Sequence, residues 1–474
     1  MIALRIACLG LVLCAPAMAL DFGQGLTSPS AAHQLTNGNG ENRHWTGIGR
    51  LDDLPGNRQC MGTLLDTRAP GGAARGPAYV LTAGHCVSKR NGVIVQDHPL
   101  QATITFNYFA DTITARHRVA VRRAVWSSIQ GRDLALLELD APLQQLLDHD
   151  IAPLMMAAPA PAGSAVLVVG EASRPDIGLR LRACTEQDLP VLLQQPWLWR
   201  RLKSNDCRSV GEGVSGSPVL ERASNRVIGV INSISGKRVT SIPVGGLLDC
   251  FSDGRLDLDI ARCPLLPGFQ LVQQANAAFK RLYKLGTDDN GNTPPPSWNF
   301  AFTLDTPRYR YKATRDALAC EDPDGYSGTL PAMGTVLIDD PIGPETGWHF
   351  LCVVGVESAE DLAWRGLLAN ALSVAVELLP ALAVPAPDMT VEQLGNGDRR
   401  VSWRTDPPHL QRYRVKKGKP EQIDCADPTG YRMLRHQQFV FSRAELPLKL
   451  CSQAEDIVKQ RSAPREDLLE AGDR

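Results

Sequence analysis

The sequence predicts an all-β protein built from several domains, and three observations support this prediction. Short apolar runs separated by turn residues recur through the first half of the chain, a pattern typical of β-sandwiches and barrels. A segment rich in Asp, Asn, Gly and Pro then interrupts the pattern. Beyond that segment, one stretch of sequence recurs at long spacing, which indicates duplicated domains and not the short period of a solenoid.

The composition is that of an ordinary globular protein. The chain has 474 residues, of which 43% are hydrophobic and 21% charged, and its formal net charge is −1. At roughly 100–200 residues per domain, this length corresponds to about three domains. Acidic and basic residues are interspersed, so nothing in the charge pattern favours nucleic acid or an anionic membrane as a partner.

Residues 1–19 are predicted to be a secretory signal peptide. Arg5 precedes an apolar run, Ile6–Cys14, and Ala17–Ala19 has the small-residue pattern of a cleavage site. Lipidation at Cys14 is the alternative. No later segment offers ~20 uninterrupted apolar residues, so no membrane span is predicted, and we expect a secreted or periplasmic protein. Residues 20–44, rich in Gly, Asn, Ser and Thr, are expected to form a mobile lead-in.

Strand-like runs begin after Trp45. Each is short, apolar and bounded by turn residues, which favours strands over helices. The runs are Ile48–Leu51, Gly62–Leu65, Tyr79–Thr82, Ala102–Phe106, Val119–Trp126, Leu134–Leu139, Ala165–Val169 and Val227–Ile231.

Three motifs in this region carry the residue types of nucleophilic catalysis. Ser215 lies between Gly213 and Gly216, His85 follows an apolar run, and Asp133 begins another. A serine hydroxyl needs a base within hydrogen-bond reach, and the base needs a carboxylate that fixes its tautomer and stabilises the imidazolium. We therefore predict a His85, Asp133 and Ser215 triad. The fallback carboxylates are Asp111 and Asp140.

These motifs, T-A-G-H-C, D-L-A-L-L and G-x-S-G-S-P in that order, make residues 45–283 resemble the trypsin/chymotrypsin-like serine peptidases, most closely their secreted bacterial branch. The resemblance implies two antiparallel barrels of six strands with the active site between them. It also implies an oxyanion hole formed by the backbone N–H groups of Gly213 and Ser215, and a protein or peptide substrate.

Two departures from the family bear on activation and specificity. Val214 replaces the aspartate that pairs with a new N-terminus in mammalian members, and Gly47–Arg50 lacks the matching start, so that activation switch is predicted to be absent. The active site is then formed directly or held by the lead-in. Ser209 matches the base of the specificity pocket. The strand expected to pair with substrate carries Asn232, Ser233 and Ile234, and the resemblance favours a small or medium apolar residue before the cleaved bond.

Ten cysteines remain after residue 19, an even number suited to an oxidising compartment. They occur as neighbours along the chain, and we predict five disulfides from this. In the family, the first pair closes the loop that holds the histidine. No metal-binding motif and no cofactor motif is present, so neither is predicted. The predicted pairs are Cys60–Cys86, Cys184–Cys207, Cys250–Cys263, Cys320–Cys352 and Cys425–Cys451.

The second half of the chain is predicted to hold two small domains. An amphipathic helix over Phe269–Tyr283 is expected to close the peptidase region, as in the family. Residues 284–297 form a linker by composition, with a calcium loop as the alternative. Two β-sandwich repeats follow, at 298–382 and 383–456. Residues 457–474 are expected to be a charged tail, either a frayed helix or disordered.

The repeat is visible as matching motifs. Cys320-Glu-Asp-Pro-Asp-Gly-Tyr326 recurs as Cys425-Ala-Asp-Pro-Thr-Gly-Tyr431. The repeats loosely resemble immunoglobulin or fibronectin type III modules, which bind or space other domains. A cell-surface or protein ligand is the expected partner, and the residues around Tyr309 and Tyr413 are either a binding face or ordinary alternating strands.

Two functions follow from this sequence. The first is a monomeric secreted serine endopeptidase with C-terminal accessory binding modules, which the ordered His85, Asp133 and Ser215 favour. The alternative is a secreted binding or adhesion protein with an inactive trypsin-like domain, which Val214 and the missing activation start permit.

Overall fold

The computed structural model describes residues 21–69, 71–90, 93–171, 178–235, 238–259, 262–286, 294–358, 365–404 and 409–471. The predicted signal peptide lies outside these residues, as does half of the predicted linker. The described chain divides into two compact units. The first contains residues up to 276, 299–338 and 349–375, and the second contains 277–298, 339–348 and 376 onwards.

The first barrel confirms the predicted all-β reading of the N-terminal region. Its strands alternate buried apolar and exposed positions, or are buried on both faces where the sequence is continuously apolar, as in Leu134–Leu139. They close in the order β2-β3-β4-β7-β6-β5. The short strand β1 His33–Gln34 precedes this barrel and is not part of it. The barrel strands are β2 Ile48–Leu54, β3 Arg58–Leu64, β4 Pro77–Thr82, β5 Val95–Phe106, β6 His117–Ser128 and β7 Leu134–Pro142, with helices α1 Gly84–Val87 and α2 Leu143–Asp148.

The strands of the second barrel follow the order β9-β10-β13-β12-β11-β8. The barrel is closed because the two end strands, β8 and β9, also pair with each other. The predicted two-barrel fold is therefore correct. The long β9–β10 hairpin reaches beyond the barrel proper. The strands are β8 Ala165–Val169, β9 Arg180–Gln194, β10 Trp197–Asn205, β11 Pro218–Glu221, β12 Val227–Ser235 and β13 Arg238–Pro243.

The N-terminal segment contacts the second barrel through its first residues and β1, and the loop after β5 of the first barrel through residues 35–38. Strand β1 pairs with Arg180 and Leu181 of β9. Arg222 holds Asp21 in an ion pair at 2.6 Å. These contacts differ from the mobile lead-in that its composition favours, because its backbone and charged groups find partners that a sequence cannot show.

The predicted helix over Phe269–Tyr283 is wrong. The segment forms two short strands, β16 Leu271–Gln273 and β17 Leu282–Lys284. β16 pairs with β18 Phe300–Leu304, the first strand after this segment. Tertiary pairing therefore overrides the helical spacing of the apolar residues. The small hairpin β14 Phe251–Ser252 and β15 Arg255–Leu256 precedes this segment.

The two repeats share one strand order. One sheet is β16-β18-β21 in the first repeat and β24-β25-β28 in the second, and β20-β19-β22-β23 matches β27-β26-β29-β30. By this correspondence the first repeat starts at Leu271, earlier than its motif suggests. The elements are β19 Arg308–Thr314, β20 Leu330–Pro331, β21 Val336–Ile338, β22 Gly347–Val356, α3 Arg365–Ala369, β23 Leu372–Leu379, β24 Met389–Gln393, β25 Arg399–Trp403, β26 Leu410–Gly418, β27 Arg432–Met433, β28 Gln438–Phe441, β29 Leu448–Asp456 and β30 Arg465–Leu469.

The expected C-terminal tail is also corrected. Arg465–Leu469 is strand β30, which pairs with β29. Glu466 and Leu468 are exposed on one face of the strand, and Arg465 and Asp467 share the other, less exposed face with buried Leu469. Charge alone therefore misidentified an edge strand as a tail. Charged side chains are a common feature of such edges because they discourage further pairing.

All five cysteine pairs proposed from the sequence are bonded in the structure. They fall one to the first barrel, one to the second, one to the segment after it and one to each repeat. Each closes a loop of 13 to 32 residues. Loops of this size gain ~3 kcal/mol from a crosslink in the chain-entropy account.

Candidate active site

His85 is fixed on the one-turn helix α1 that follows strand β4. Gly84 has to be glycine, because a Cβ there would lie 2.0 Å from the carbonyl oxygen of Ser128. Cys86 is tied to Cys60 of strand β3 by a disulfide. The side chain of His85 is 19% exposed, so the imidazole is held by its neighbours yet reaches the surface.

Asp133 contacts His85 at two points. Its Oδ1 accepts a hydrogen bond from the backbone N–H of His85 at 2.7 Å, and its Oδ2 lies 2.7 Å from Nδ1 of the ring. Asp133 is fully buried. A buried carboxylate in this position favours the tautomer with hydrogen on Nδ1 and leaves Nε2 free to accept a proton. The fallback carboxylates lie elsewhere: Asp111 accepts from the backbone of Asn37 and Gly38, and Asp140 is exposed.

Ser215 lies on a turn that glycine makes possible. Gly213 and Gly216 have φ values of +83° and +86°, the left-handed region that glycine adopts without strain. A Cβ at Gly216 would lie 2.0 Å from the carbonyl oxygen of Met61. The carbonyl oxygen of Ser215 accepts a hydrogen bond from the N–H of Met61 at 2.7 Å. Ser215 is therefore linked to strand β3. The same strand carries Cys60, which is disulfide-bonded to Cys86, the residue after His85.

The three predicted triad residues are brought together unequally. His85 and Asp133 are in direct contact, whereas Ser215 Oγ makes no hydrogen bond with the His85 ring, both residues being described. In ligand-free active sites this hydrogen bond is often long and tightens only when substrate binds. The backbone N–H groups of Gly213 and Ser215 donate to no acceptor among the described residues. Two such free donors on one turn suit an oxyanion.

A cleft of about 140 Å³ opens beside His85. Asn232 and Ser233 line it, together with residues of the β9–β10 hairpin. Ser233 donates to Gln194 Oε1 at 2.9 Å, so this hairpin is joined to the end of β12. Asn232 is buried and accepts from Thr240 Oγ1 at 2.8 Å. The cleft is lined by His85, Lys89, Gln194, Trp197, Trp199, Asn232 and Ser233.

The other two predicted pocket residues are not among the described residues that line this cleft. Ser209 is exposed, with φ of +56°, and only its carbonyl oxygen is held. Ile234 is 41% exposed. The predicted substrate-binding set therefore separates into two residues at the cleft and two outside it.

Arg182 is a buried residue that sequence reasoning missed. Its guanidinium donates to the carbonyl oxygens of Gly170, Arg208 and Ser209 at 3.0, 3.2 and 2.9 Å. It lies in strand β9 between Leu181 and Ala183, and its relative exposure is 0%. It fixes the chain just before the Ser215 turn. Arg180 and Arg182 both alternate with apolar residues, so the sequence gives no signal that distinguishes the buried arginine from its neighbour.

Glu186 is a second buried ionisable residue on β9. Burial raises the pKa of its carboxyl from 4.5 to about 7, against the hydrogen bond that Ser241 Oγ donates to it at 3.2 Å. The grouping of Cys60, His85 and Cys86, whose ligand atoms lie within 4.8 Å of one another, has the residue types of a metal site. Both sulfurs belong to a disulfide, so they have no thiolate to offer a metal.

Comparison with known proteins gives one family. Residues 60–230 match the model of the trypsin-like peptidase domain. No curated protein matches the chain. Among the described residues, none of the helices combines the length and apolarity that crossing a membrane requires.

Several solved structures are similar to the chain at low identity. A thermostable serine protease, AL20, from an extremophilic microorganism is 15% identical, with 42% of this chain and 92% of that one covered and a TM-score of 0.32. Protease Anisep from Arthrobacter nicotinovorans is 18% identical, with 42% and 90% covered and a TM-score of 0.33. The VesB protease of Vibrio cholerae is 13% identical, with 74% and 99% covered and a TM-score of 0.33.

These TM-scores are low, so the assignment depends on the chain's own two closed barrels and on the family match. The matched residues include all three motifs, around His85, Asp133 and Ser215. Residues 60–230 are therefore identified as a trypsin-like peptidase domain, within the two-barrel region of the chain.

Proposed function

We propose that the protein is a secreted serine endopeptidase that hydrolyses peptide bonds through His85, Asp133 and Ser215. The observation that carries the proposal is the double contact of buried Asp133 with the N–H and the ring of His85, both at 2.7 Å. This arrangement orients a base. The turn of Ser215, with its two left-handed glycines, precedes β11 of the second barrel and is hydrogen-bonded to Met61 of the first.

In the proposed mechanism, Ser215 Oγ attacks the carbonyl carbon of the scissile bond while His85 Nε2 takes the hydroxyl proton. The oxyanion accepts hydrogen bonds from the N–H groups of Gly213 and Ser215, each worth ~3–4 kcal/mol in comparable sites. The tetrahedral intermediate collapses, the C–N bond breaks, and His85 gives its proton to the leaving amine. Water then attacks the acyl-enzyme by the same route and restores Ser215.

The decisive experiment uses the purified secreted chain with a casein substrate and an organophosphate label. We expect hydrolysis and labelling of one serine, both abolished in Ser215→Ala. Ser252→Ala is the matched control, because Ser252 is an exposed serine on β14, outside the predicted catalytic and substrate-binding residues. Labelling that persists in Ser215→Ala would contradict the assignment.

The alternative is a secreted binding protein with an inactive peptidase domain. The observation that favours it is the missing hydrogen bond between Ser215 Oγ and His85, together with buried Val214 next to the serine. A wild-type chain that is folded, with its five disulfides formed, but neither cleaves casein nor takes the label would support this alternative.

We further propose a preference for a small or medium apolar residue before the cleaved bond, and accessory binding by the C-terminal repeats. The preference follows from Ser209 at the family's pocket-base position. Digestion of a peptide library, read by mass spectrometry, tests activity and specificity together. Enrichment of basic residues before the cleaved bond would contradict the preference.

A further inference from the structure

We propose that Arg200, held by Glu321 and by residues 369–373 of the first repeat, is a positioning residue for the loop that carries Asp133. This inference rests on the proposed peptidase function, and it gives the first repeat a role other than ligand binding. The residues involved all belong to the first compact unit.

The loop in question is residues 129–132, which we call the aspartate loop because Asp133 follows it directly. Strand β10 holds its backbone: Trp199 Nε1 donates to the carbonyl oxygen of Ile129 at 3.0 Å, and the N–H of Arg200 donates to the carbonyl oxygen of Gly131 at 3.2 Å. Gly131 has φ of +70°. The path of the chain into Asp133 is therefore set by two consecutive residues of β10.

The first repeat contacts the same loop from its own side. The Gln130 side chain donates to the carbonyl oxygen of Asn370, and the Asn370 side chain donates to Pro264 O at 2.9 Å. A Cβ at Gly131 would lie 3.1 Å from the carbonyl oxygen of Ala369 and 3.3 Å from Arg200 Nη2. The aspartate loop is thus enclosed between β10 and residues 369–370.

Arg200 joins these two sides. Its side chain is 1% exposed, and its guanidinium donates to Ser373 Oγ at 2.6 Å and to the carbonyl oxygen of Ala369 at 3.1 Å. Its Nε lies 3.3 Å from Glu321 Oε1. A buried cation is retained only where an anion and hydrogen-bond acceptors compensate for lost hydration. All three of these partners belong to the first repeat.

The second repeat shows that this contact is specific to the first. From the matched cysteine to the matched tyrosine, the two motifs differ only where Asp324 corresponds to Thr429 and Glu321 corresponds to Ala426. The motif itself therefore does not require glutamate at this position. The glutamate is explained by the arginine it pairs with.

Displacement of the aspartate loop should act on Asp133 and, through the 2.7 Å contact, on the His85 ring. A small misplacement of a catalytic group lowers the rate more than it lowers affinity for substrate. A less well placed carboxylate stabilises the imidazolium less. The acid limb of the kcat/KM profile should then move to lower pH.

The test compares Glu321→Ala and Arg200→Met with wild type, all as the full chain. The matched control is Arg201→Ala, because Arg201 pairs with the outer oxygen of Glu321 at 2.6 Å but is 68% exposed. Organophosphate titration counts active sites. Per titrated site, we expect kcat to fall about tenfold or more in the two test variants with KM nearly unchanged. The acid limb should shift, and Glu321→Gln should be intermediate.

A merely structural role would reduce the number of titratable sites and leave kcat per site and the acid limb as in wild type, and this result would overturn the proposal. Amide hydrogen exchange of residues 129–134 provides a readout that needs no activity. We expect faster exchange there in Glu321→Ala than in Arg201→Ala. If wild type proves inactive, the proposed function fails, while unchanged exchange in Glu321→Ala would reject the positioning role separately.

Discussion

The two C-terminal repeats contain the same loop in two settings. In the first, Lys312 Nζ donates to the carbonyl oxygens of Asp322 and Asp324 at 2.8 and 2.6 Å. In the second, Lys416 Nζ donates to those of Asp424 and Asp427 at 2.6 and 2.7 Å. The ammonium lies 4.8 or 4.9 Å from the ring centre of the motif tyrosine.

The shared geometry explains the shared letters of the motif. Each tyrosine donates its hydroxyl to the carbonyl oxygen of the motif cysteine, Tyr326 to Cys320 at 2.7 Å and Tyr431 to Cys425 at 2.8 Å. In each loop, the lysine ammonium thus donates hydrogen bonds to two backbone carbonyl oxygens. What differs is Glu321 against Ala426, and only the glutamate has Arg200 as a partner. The lysine–tyrosine arrangement is therefore common to both repeats, and they differ at the position that contacts Arg200 in the first repeat, where the second has alanine.

The largest test of this comparison removes one disulfide at a time. Replacing both Cys320 and Cys352 with alanine, or both Cys425 and Cys451, should destabilise the affected repeat by ~2–5 kcal/mol. Only the first double variant should also lower peptidase activity, because only its loop holds Arg200. Thermal unfolding and casein hydrolysis of the secreted chains check both parts. Equal activity losses would break the comparison.

A smaller effect is expected from the loop lysines. Lys312→Met and Lys416→Met each leave two carbonyl oxygens without their donor, a loss of ~1–3 kcal/mol for a buried group. Burial lowers the pKa of Lys312. Denaturant unfolding of the two variants should show similar losses, since the interiors of the loops match. A loss confined to Lys312→Met would mean that the second loop does not depend on its lysine.

The motif tyrosines allow a finer test. Tyr326→Phe and Tyr431→Phe remove one hydroxyl hydrogen bond each, worth ~1 kcal/mol. Tyr326 lies in the electrostatic field of Arg200 and Glu321. We therefore expect Tyr326→Phe to alter peptidase activity slightly and Tyr431→Phe to leave it unchanged. Chromogenic peptide assays at matched concentrations of titrated active site measure this difference.

The smallest expected effect concerns acid. Hydrogen bonds from the Thr429 side chain and backbone lower the pKa of Asp427 below 3.8. A carboxyl with a lowered folded-state pKa contributes stability that is present above its unfolded pKa and is lost as pH falls through the folded pKa. Thr429→Val should remove part of that acid sensitivity. The check is the thermal midpoint at pH 5 and at pH 3, with Asp324→Asn at the equivalent position of the first repeat as control.

Local chemistry explains what the sequence could predict. The motifs around His85, Asp133 and Ser215 predict the two-barrel domain, because each places a glycine-dependent turn next to a buried strand. Neighbouring cysteines likewise found their partners in the structure. The hydrogen bond between Ser215 Oγ and His85 was expected because of the catalytic roles predicted for these two residues. It is not formed in this structure.

Features that depend on tertiary contact could not be predicted. The apolar spacing of Phe269–Tyr283 suits a helix, but pairing with Phe300–Leu304 makes its first part a strand. The burial of Arg182 and Arg200 was not predicted, because a sequence does not show which arginines are enclosed. The sequence shows that Glu321 corresponds to Ala426 in the second repeat, but only the structure shows that Glu321 pairs with Arg200.

The hydrogen bond from the Met61 amide to the Ser215 carbonyl has a consequence for redox sensitivity. Met61 follows Cys60, whose disulfide to Cys86 adjoins the catalytic base candidate. Reduction of that disulfide would remove the covalent link between helix α1, which carries His85, and strand β3. Strand β3 also holds the turn of Ser215 through Met61. In a thiol-rich environment, one reduced bond would therefore disturb the positions of both His85 and Ser215.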